Sequence, residues 1–130
     1  MFYEFRQNNS GGRFVRNNSV DHYVIIEADS LPQLKARALS IGIYFNGVAE
    51  GVDCGCCGAR WYESDPPNKV PSHYDSPLTL ANSSTKKNPR EHTVVIHYLS
   101  GRIIYTTPDC ENQKLNSRDW LALKNKDDSE

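Results

Sequence analysis

One stretch constrains the fold more than any other. Thr93-Val94-Val95-Ile96-His97-Tyr98-Leu99 is apolar on both faces of an extended chain, His97 excepted. Such a strand cannot spend one side in water, so it belongs near the middle of a sheet. Ser100-Gly101 turns the chain, residues 102–107 return as a hairpin partner, and Pro108 stops them.

Other segments supply neighbours for this strand. Residues 2–7 are short and aromatic-rich and read as a strand, followed by the turn-forming Asn8-Asn9-Ser10-Gly11-Gly12. Phe14-Val15 is expected to begin a return strand. Residues 22–28 alternate cleanly, with Val24, Ile26 and Ala28 on one face and Tyr23, Ile25 and Glu27 on the other. Asp29-Ser30 with Pro32 is a helix start, Leu31, Leu34, Ala38 and Ile41 recur at helical spacing, and Gly42 is placed to end the helix. Ile43-Tyr44-Phe45 is a short extended segment closed by Asn46-Gly47.

Residues 63–92 carry Pro66, Pro67, Pro71, Pro77 and Pro89 among polar residues, so little regular structure is expected beyond a short strand at 78–80. A last short helix is expected at 117–124, before a frayed tail at 126–130. The fold class is therefore α+β: a small, mostly antiparallel sheet with one amphipathic helix on a face, a long irregular middle loop and a C-terminal β-hairpin. Residues 1–125 make one domain, as the length of 130 residues requires.

Charge and hydropathy narrow the function. Lys plus Arg number 15 against 16 Asp plus Glu, which opposes binding to nucleic acid or membrane through bulk charge. Hydrophobic residues are only 38% and the mean hydropathy is −0.65, so a small core carries long polar loops. No apolar run approaches the roughly 18–20 residues that span a bilayer. The N-terminus lacks a basic region followed by an apolar stretch, so the expected setting is intracellular, with reduced thiols.

Three of the four cysteines crowd into Cys54-Gly55-Cys56-Cys57-Gly58, whereas a disulfide framework would spread them. Cys54 and Cys57 have the C-x-x-C spacing of a zinc knuckle, in which backbone N–H groups point at sulfur and glycine permits the bend. A structural zinc needs four ligands, and no second C-x-x-C exists. Cys56, His73, His92, His97 and Cys110 are candidates for the remainder, and His73, in the following loop, is the easiest to bring close. The competing reading makes the cysteines small core residues. A thioredoxin-like role is disfavoured because the cluster does not open a helix after a strand.

Arg60-Trp61 follows directly, a guanidinium and an aromatic face suited to a base or phosphate. The competing reading has Trp61 plugging the core. Arg6, Asn8, Asn9 and Arg13 around the glycine turn form a second polar patch. No nucleophile elbow, H-E-x-x-H, Walker or deaminase motif is present, so catalysis is not expected.

With these residues laid out, the chain resembles a family of small uncharacterised proteins of tailed bacteriophages. The resemblance rests on Phe2-Tyr3-Glu4-Phe5-Arg6-Gln7-Asn8-Asn9-Ser10-Gly11-Gly12, Val24-Ile25-Ile26-Glu27-Ala28-Asp29-Ser30, Ile41-Gly42-Ile43-Tyr44-Phe45 and Asp53-Cys54-Gly55-Cys56-Cys57-Gly58 with Arg60-Trp61-Tyr62. It covers the first half and, more loosely, the terminal hairpin. Gly55 stands where many relatives have proline, and Ala59 where an acidic residue is common.

The resemblance implies an accessory protein in the cytoplasm of an infected bacterium. Such a protein binds a host component in counter-defence, sequestering a nucleotide-type signal or blocking a host protein. Arg6, Asn8, Asn9, Arg13, Arg60 and Trp61 are the expected ligand-binding residues, and Cys54, Cys57 and His73 the expected ligands of a zinc. The alternative is a zinc-stabilised adaptor for nucleic acid or protein. A homo-oligomer would supply missing zinc ligands across a two-fold axis.

Overall fold

The computed structural model describes residues 1–8, 10–63, 67–74, 76–78, 80, 83–87 and 93–107. Its architecture is α+β. The strands β1 (Phe2–Gln7), β2 (Tyr23–Glu27), β3 (Trp61–Glu63), β6 (Val94–His97) and β7 (Ile103–Thr106) form one sheet in the order β3-β1-β2-β6-β7. The two-residue strands β4 (Ser72–His73) and β5 (Ser76–Pro77) pair separately. Within the large sheet β1 runs antiparallel to both β2 and β3, and β6 antiparallel to β7. The exception is the parallel β2–β6 pair, in register from Tyr23↔Val94 to Ile26↔His97.

Alternation in β2 divides the core as expected. Val24, Ile26 and Ala28 join Phe5, Trp61 and Val20 beneath the helix residues Leu34 and Ala38. Tyr23 and Ile25 join Phe2, Val94 and Ile96 on the opposite face. No helix among the described residues covers that second face. Leu78, Leu80 and Tyr98 pack on it instead, and Asn68 bridges to Phe2 by paired backbone bonds of 2.7 and 2.9 Å. The described part of the proline-rich middle therefore helps to cover the second face of a two-sided sheet. Each side chain it helps to bury fully, such as Ile25 or Ile96, contributes about 1.5–3 kcal/mol.

Helix α1 (Leu31–Ser40) begins where its caps dictate. Ser30 Oγ accepts from Gln33 N at 3.3 Å, and Pro32 lies in the first turn. It ends in a Schellman motif: Gly42, at φ 94°, donates to Leu39 O at 3.1 Å, and Ile43 donates to Ala38 O at 2.9 Å. Ile43 thereby enters the core, fully buried. Leu31, expected on the apolar stripe, is instead exposed at the first turn.

Two expectations need correction. Phe14-Val15 is not a return strand; β2 takes that place. The Gln7 side chain satisfies Val15 in lieu of a ladder, accepting from its N–H at 2.6 Å and donating to its carbonyl at 3.0 Å. In place of a strand at 78–80, the described part of the middle stretch pairs Ser72–His73 with Ser76–Pro77; Leu78 and Leu80 pack on the core, and residue 79 lies outside the described residues. Ile43-Tyr44-Phe45 runs outside the sheet, with Ile43 fully buried. The expected helix at 117–124 and tail at 126–130 lie outside the described residues.

Candidate metal centre

The cysteine turn is built on a rigid base. Asp53 accepts from the Tyr44 hydroxyl at 2.6 Å through one carboxylate oxygen and from Arg60 N at 2.8 Å through the other, clamping the two ends of the turn. Gly47 is required beneath it, since a Cβ there would lie 1.8 Å from Asp53 Oδ2. Cys54 N donates to Ser10 Oγ at 3.3 Å, and Gly58 N donates back to Cys54 O at 3.0 Å. Gly58 has φ 92°, the left-handed conformation that glycine adopts without strain. Asn8 Nδ2 donates to Cys57 O at 2.7 Å, fixing the turn to the end of β1.

The sulfurs of Cys54, Cys56 and Cys57 all lie within 4.8 Å of one another, and the three are free thiols. Cys56 and Cys57 are exposed and Cys54 half-buried. Hydrogen bonds from the Cys56 and Cys57 side chains, reinforced by their backbone N–H groups, lower the Cys54 thiol to about 7. The same sharing pushes Cys56 up to about 11, with the charge of its neighbours adding to the effect. One thiolate thus forms near neutral pH and makes the next harder to form. A divalent cation removes that penalty by replacing the shared protons.

The donor set fits zinc. Tetrahedral Zn–S bonds of about 2.3 Å place sulfurs roughly 3.8 Å apart, so the Cys54 and Cys56 sulfurs, 2.9 Å apart as thiols sharing a hydrogen bond, would separate by under about 1 Å to receive the ion. Three thiolates fill three positions of such an ion and leave one open.

His73 does not join Cys54 and Cys57; Cys56 is the third member of the cluster. The His73 ring packs edge-on against Tyr23 and Tyr74, with centroids at 4.5 and 4.6 Å, on the cover of the second sheet face. Burial there lowers its pKa to about 4. His97 is fully buried, with Nε2 against Ser19 O at 2.7 Å and Nδ1 against the Arg37 guanidinium at 3.2 Å. His92 and Cys110 lie outside the described residues.

Of the six expected ligand-binding residues, the five that are described do not line one pocket. Trp61 is 3% exposed and plugs the core. Arg60 is buried, donating to Ser10 O at 2.7 Å, Arg13 O at 2.8 Å and Gln7 Oε1 at 3.2 Å. Asn8 braces the cysteine turn, and Arg13 offers its carbonyl to Arg60. The Arg6 guanidinium is exposed, 5.4 Å over the Tyr62 ring. Asn9 lies outside the described residues. Asn8 and Arg60 thus serve the scaffold of the thiol site rather than a recognition patch.

Sequence reasoning missed a second polar centre. Asp21 is fully buried and accepts from Arg16 Nε at 3.0 Å, His22 Nδ1 at 2.6 Å and Lys87 Nζ at 2.6 Å. A cavity of about 320 Å³ beside it is lined by Arg16, Asn17, Asn18 and Lys87. The Arg16–Asp21 spacing was visible in the chain; nothing local announced Lys87, 66 residues away from its partner.

An α+β domain that presents three thiols on an exposed, braced turn is a candidate metal–thiolate module. The chain belongs to the family described as a domain of unknown function, DUF7296, whose family model matches residues 1–115. No curated protein and no solved structure matches it. Among the described residues no helix is long and apolar enough to cross a membrane.

Proposed function

We propose that the protein is a non-enzymatic binding module whose working surface is the cysteine turn, with zinc held by Cys54, Cys56 and Cys57. The observation that carries this reading is the convergence of the three sulfurs within 4.8 Å on a turn clamped at both ends. In the setting implied by the likeness to tailed-phage proteins, the module is an accessory that engages a host component in the bacterial cytoplasm. Metal analysis of chain purified without chelator is the test. About one equivalent of zinc is expected; less than a tenth of an equivalent rejects the reading.

A second reading, sequestration of a nucleotide-type signal, is favoured by the cavity between Arg16 and Lys87 rather than by Arg60 and Trp61. Its cationic and amide walls suit a phosphate-bearing ligand. Calorimetric titration with cyclic nucleotides and ADP-ribose derivatives tests it. Binding that is lost in Lys87→Ala supports the reading, and silence across the panel rejects it.

A further inference from the structure

Among the described residues the thiol site is one ligand short of a structural zinc. Among the described residues the group within ligand distance is Cys54, Cys56 and Cys57 alone. Asp53, the adjoining acid, has both carboxylate oxygens committed to Tyr44 and Arg60. A structural zinc takes four ligands, so a single turn leaves its ion incomplete.

Simple counting shows what completes it. Two ions need eight coordination positions. Two turns supply six thiolates, and six thiolates fill eight positions when two of them bridge both ions. We infer that two copies of the chain meet at the cysteine turn and enclose two zinc ions between six thiolates, one ion per chain. This rests on the zinc reading above. Under two-fold symmetry the bridging sulfurs are the same cysteine from each copy. The balance is two Zn²⁺ and six Cys–SH giving a Zn₂(S–Cys)₆ core of charge −2 and six released protons.

The surroundings suit such a meeting. Cys56 and Cys57 are exposed, so a second turn can approach their sulfurs. The run Cys54-Gly55-Cys56-Cys57-Gly58-Ala59 contains no charged side chain to repel its copy. Val48 Cγ1 lies 4.0 Å from the position a Cβ on Gly55 would occupy, and Val48 and Val52 are 39% and 63% exposed, giving apolar area to bury at the rim. The residual negative charge also has a counterpart. Tyr62, whose hydroxyl lies 3.1 Å from where a Cβ on Gly58 would be, carries the exposed Arg6 over its ring. One guanidinium per copy therefore lies on the ring whose hydroxyl reaches the end of the cysteine turn.

The test measures zinc content and solution mass together on the full chain purified without chelator. The expected species has twice the 14.7 kDa chain mass and two zinc ions. It falls to single-chain mass on chelation and is restored when one equivalent of zinc per chain is returned. Cys56→Ser is expected to remain monomeric at the same zinc concentration, with an unchanged near-ultraviolet circular dichroism spectrum showing that it folds. Substitution with cadmium-113 is expected to give metal–metal coupling through the bridging sulfurs. Zinc bound by a monomer overturns the shared site while leaving the zinc reading intact. A dimer that survives chelation, or that needs Cys110 as shown by its loss in Cys110→Ser, overturns the shared site as well. Absence of zinc removes both.

Discussion

The guanidinium of Arg60 donates to the carbonyl of Ser10 at 2.7 Å, joining the cysteine turn to the glycine turn across 50 residues of sequence. Two further donations, to Arg13 O and Gln7 Oε1, make this arginine the keystone between the turns. Arg60→Ala removes three donations, two of them buried, with Gln7 Oε1 keeping Val15 N, and is expected to cost about 2–4 kcal/mol, read as a lower urea midpoint. Arg60→Lys is expected to recover only a minor part, because an ammonium cannot reproduce the planar fork. Equal midpoints for the alanine variant and the parent would show that the network contributes nothing.

Gly58 is constrained by its positive φ and by two close neighbours of any added Cβ, the Tyr62 hydroxyl at 3.1 Å and Asn8 Nδ2 at 3.3 Å. Gly58→Ala is expected to cost about 1–2 kcal/mol from conformation and to weaken zinc binding, measured by competition with a chromophoric chelator. Removing the hydroxyl with Tyr62→Phe in the same chain should relieve the Tyr62 part of the crowding only. If the double variant binds zinc as well as the parent, the left-handed backbone is not what shapes the turn.

The thiols should react in a defined order. Cys54, with a pKa of about 7, is largely thiolate at pH 8, whereas Cys56, at about 11, is largely protonated. Alkylation by iodoacetamide of metal-free protein, followed by peptide mass spectrometry, should label Cys54 before Cys56, with a rate that rises through pH 7. Zinc should protect the cluster. Preferential labelling of Cys56 would contradict this arrangement of protons.

Acid should weaken the fold in two windows. Burial lowers the His73 pKa from 6.5 to about 4 and lowers that of His97 too, so the unfolded chain takes up protons first as pH falls below 6.5. Stability present above 6.5 is therefore lost on the way down, by up to about 3 kcal/mol for His73. His73→Phe, which keeps a ring against Tyr23 and Tyr74, should flatten that part of the profile.

The lower window belongs to Asp21. Burial alone would raise its pKa, but hydrogen bonds from His22 and Lys87 outweigh it and hold the carboxyl well below the usual 3.8. Its contribution is thus complete above 3.8 and is lost as pH falls further. Asp21→Asn should remove this lower slope and cost about 3–5 kcal/mol at neutral pH, because Lys87, with 8% of its side chain exposed, loses its carboxylate. Urea midpoints measured from pH 8 to pH 3 check both windows.

Local patterns were legible and distant partnerships were not. The alternation of β2, the Ser30 and Gly42 caps and the hairpin of β6 and β7 each depend on neighbours within a few residues, and each appears where the sequence put it. Val15 defeated the strand pattern because a single amide side chain, Gln7, met both its backbone groups. His73 looked available to the cysteines by position alone, yet an aromatic pocket contributed by β2 claimed it. At the thiol site the turn and its glycine were readable; Cys56, sitting inside the C-x-x-C spacing, was passed over for a residue outside it. Arg60 and Trp61 carry recognition chemistry in isolation, and only the packing shows that both face inward.

The parallel pairing of β2 with β6 has a consequence for how the chain is made. Strands β1, β2 and β3 and the helix are all encoded before residue 64, so they can assemble early in synthesis. The side of β2 that receives β6 stays unpaired until residue 97 emerges, about seventy residues after Glu27. At bacterial and eukaryotic elongation rates that interval is roughly 4–14 s. Throughout it, Val24, Ile25 and Ile26 present an open apolar edge to other nascent chains. The ribosome, rather than the finished fold, is therefore where this small domain runs its greatest risk of pairing with the wrong strand.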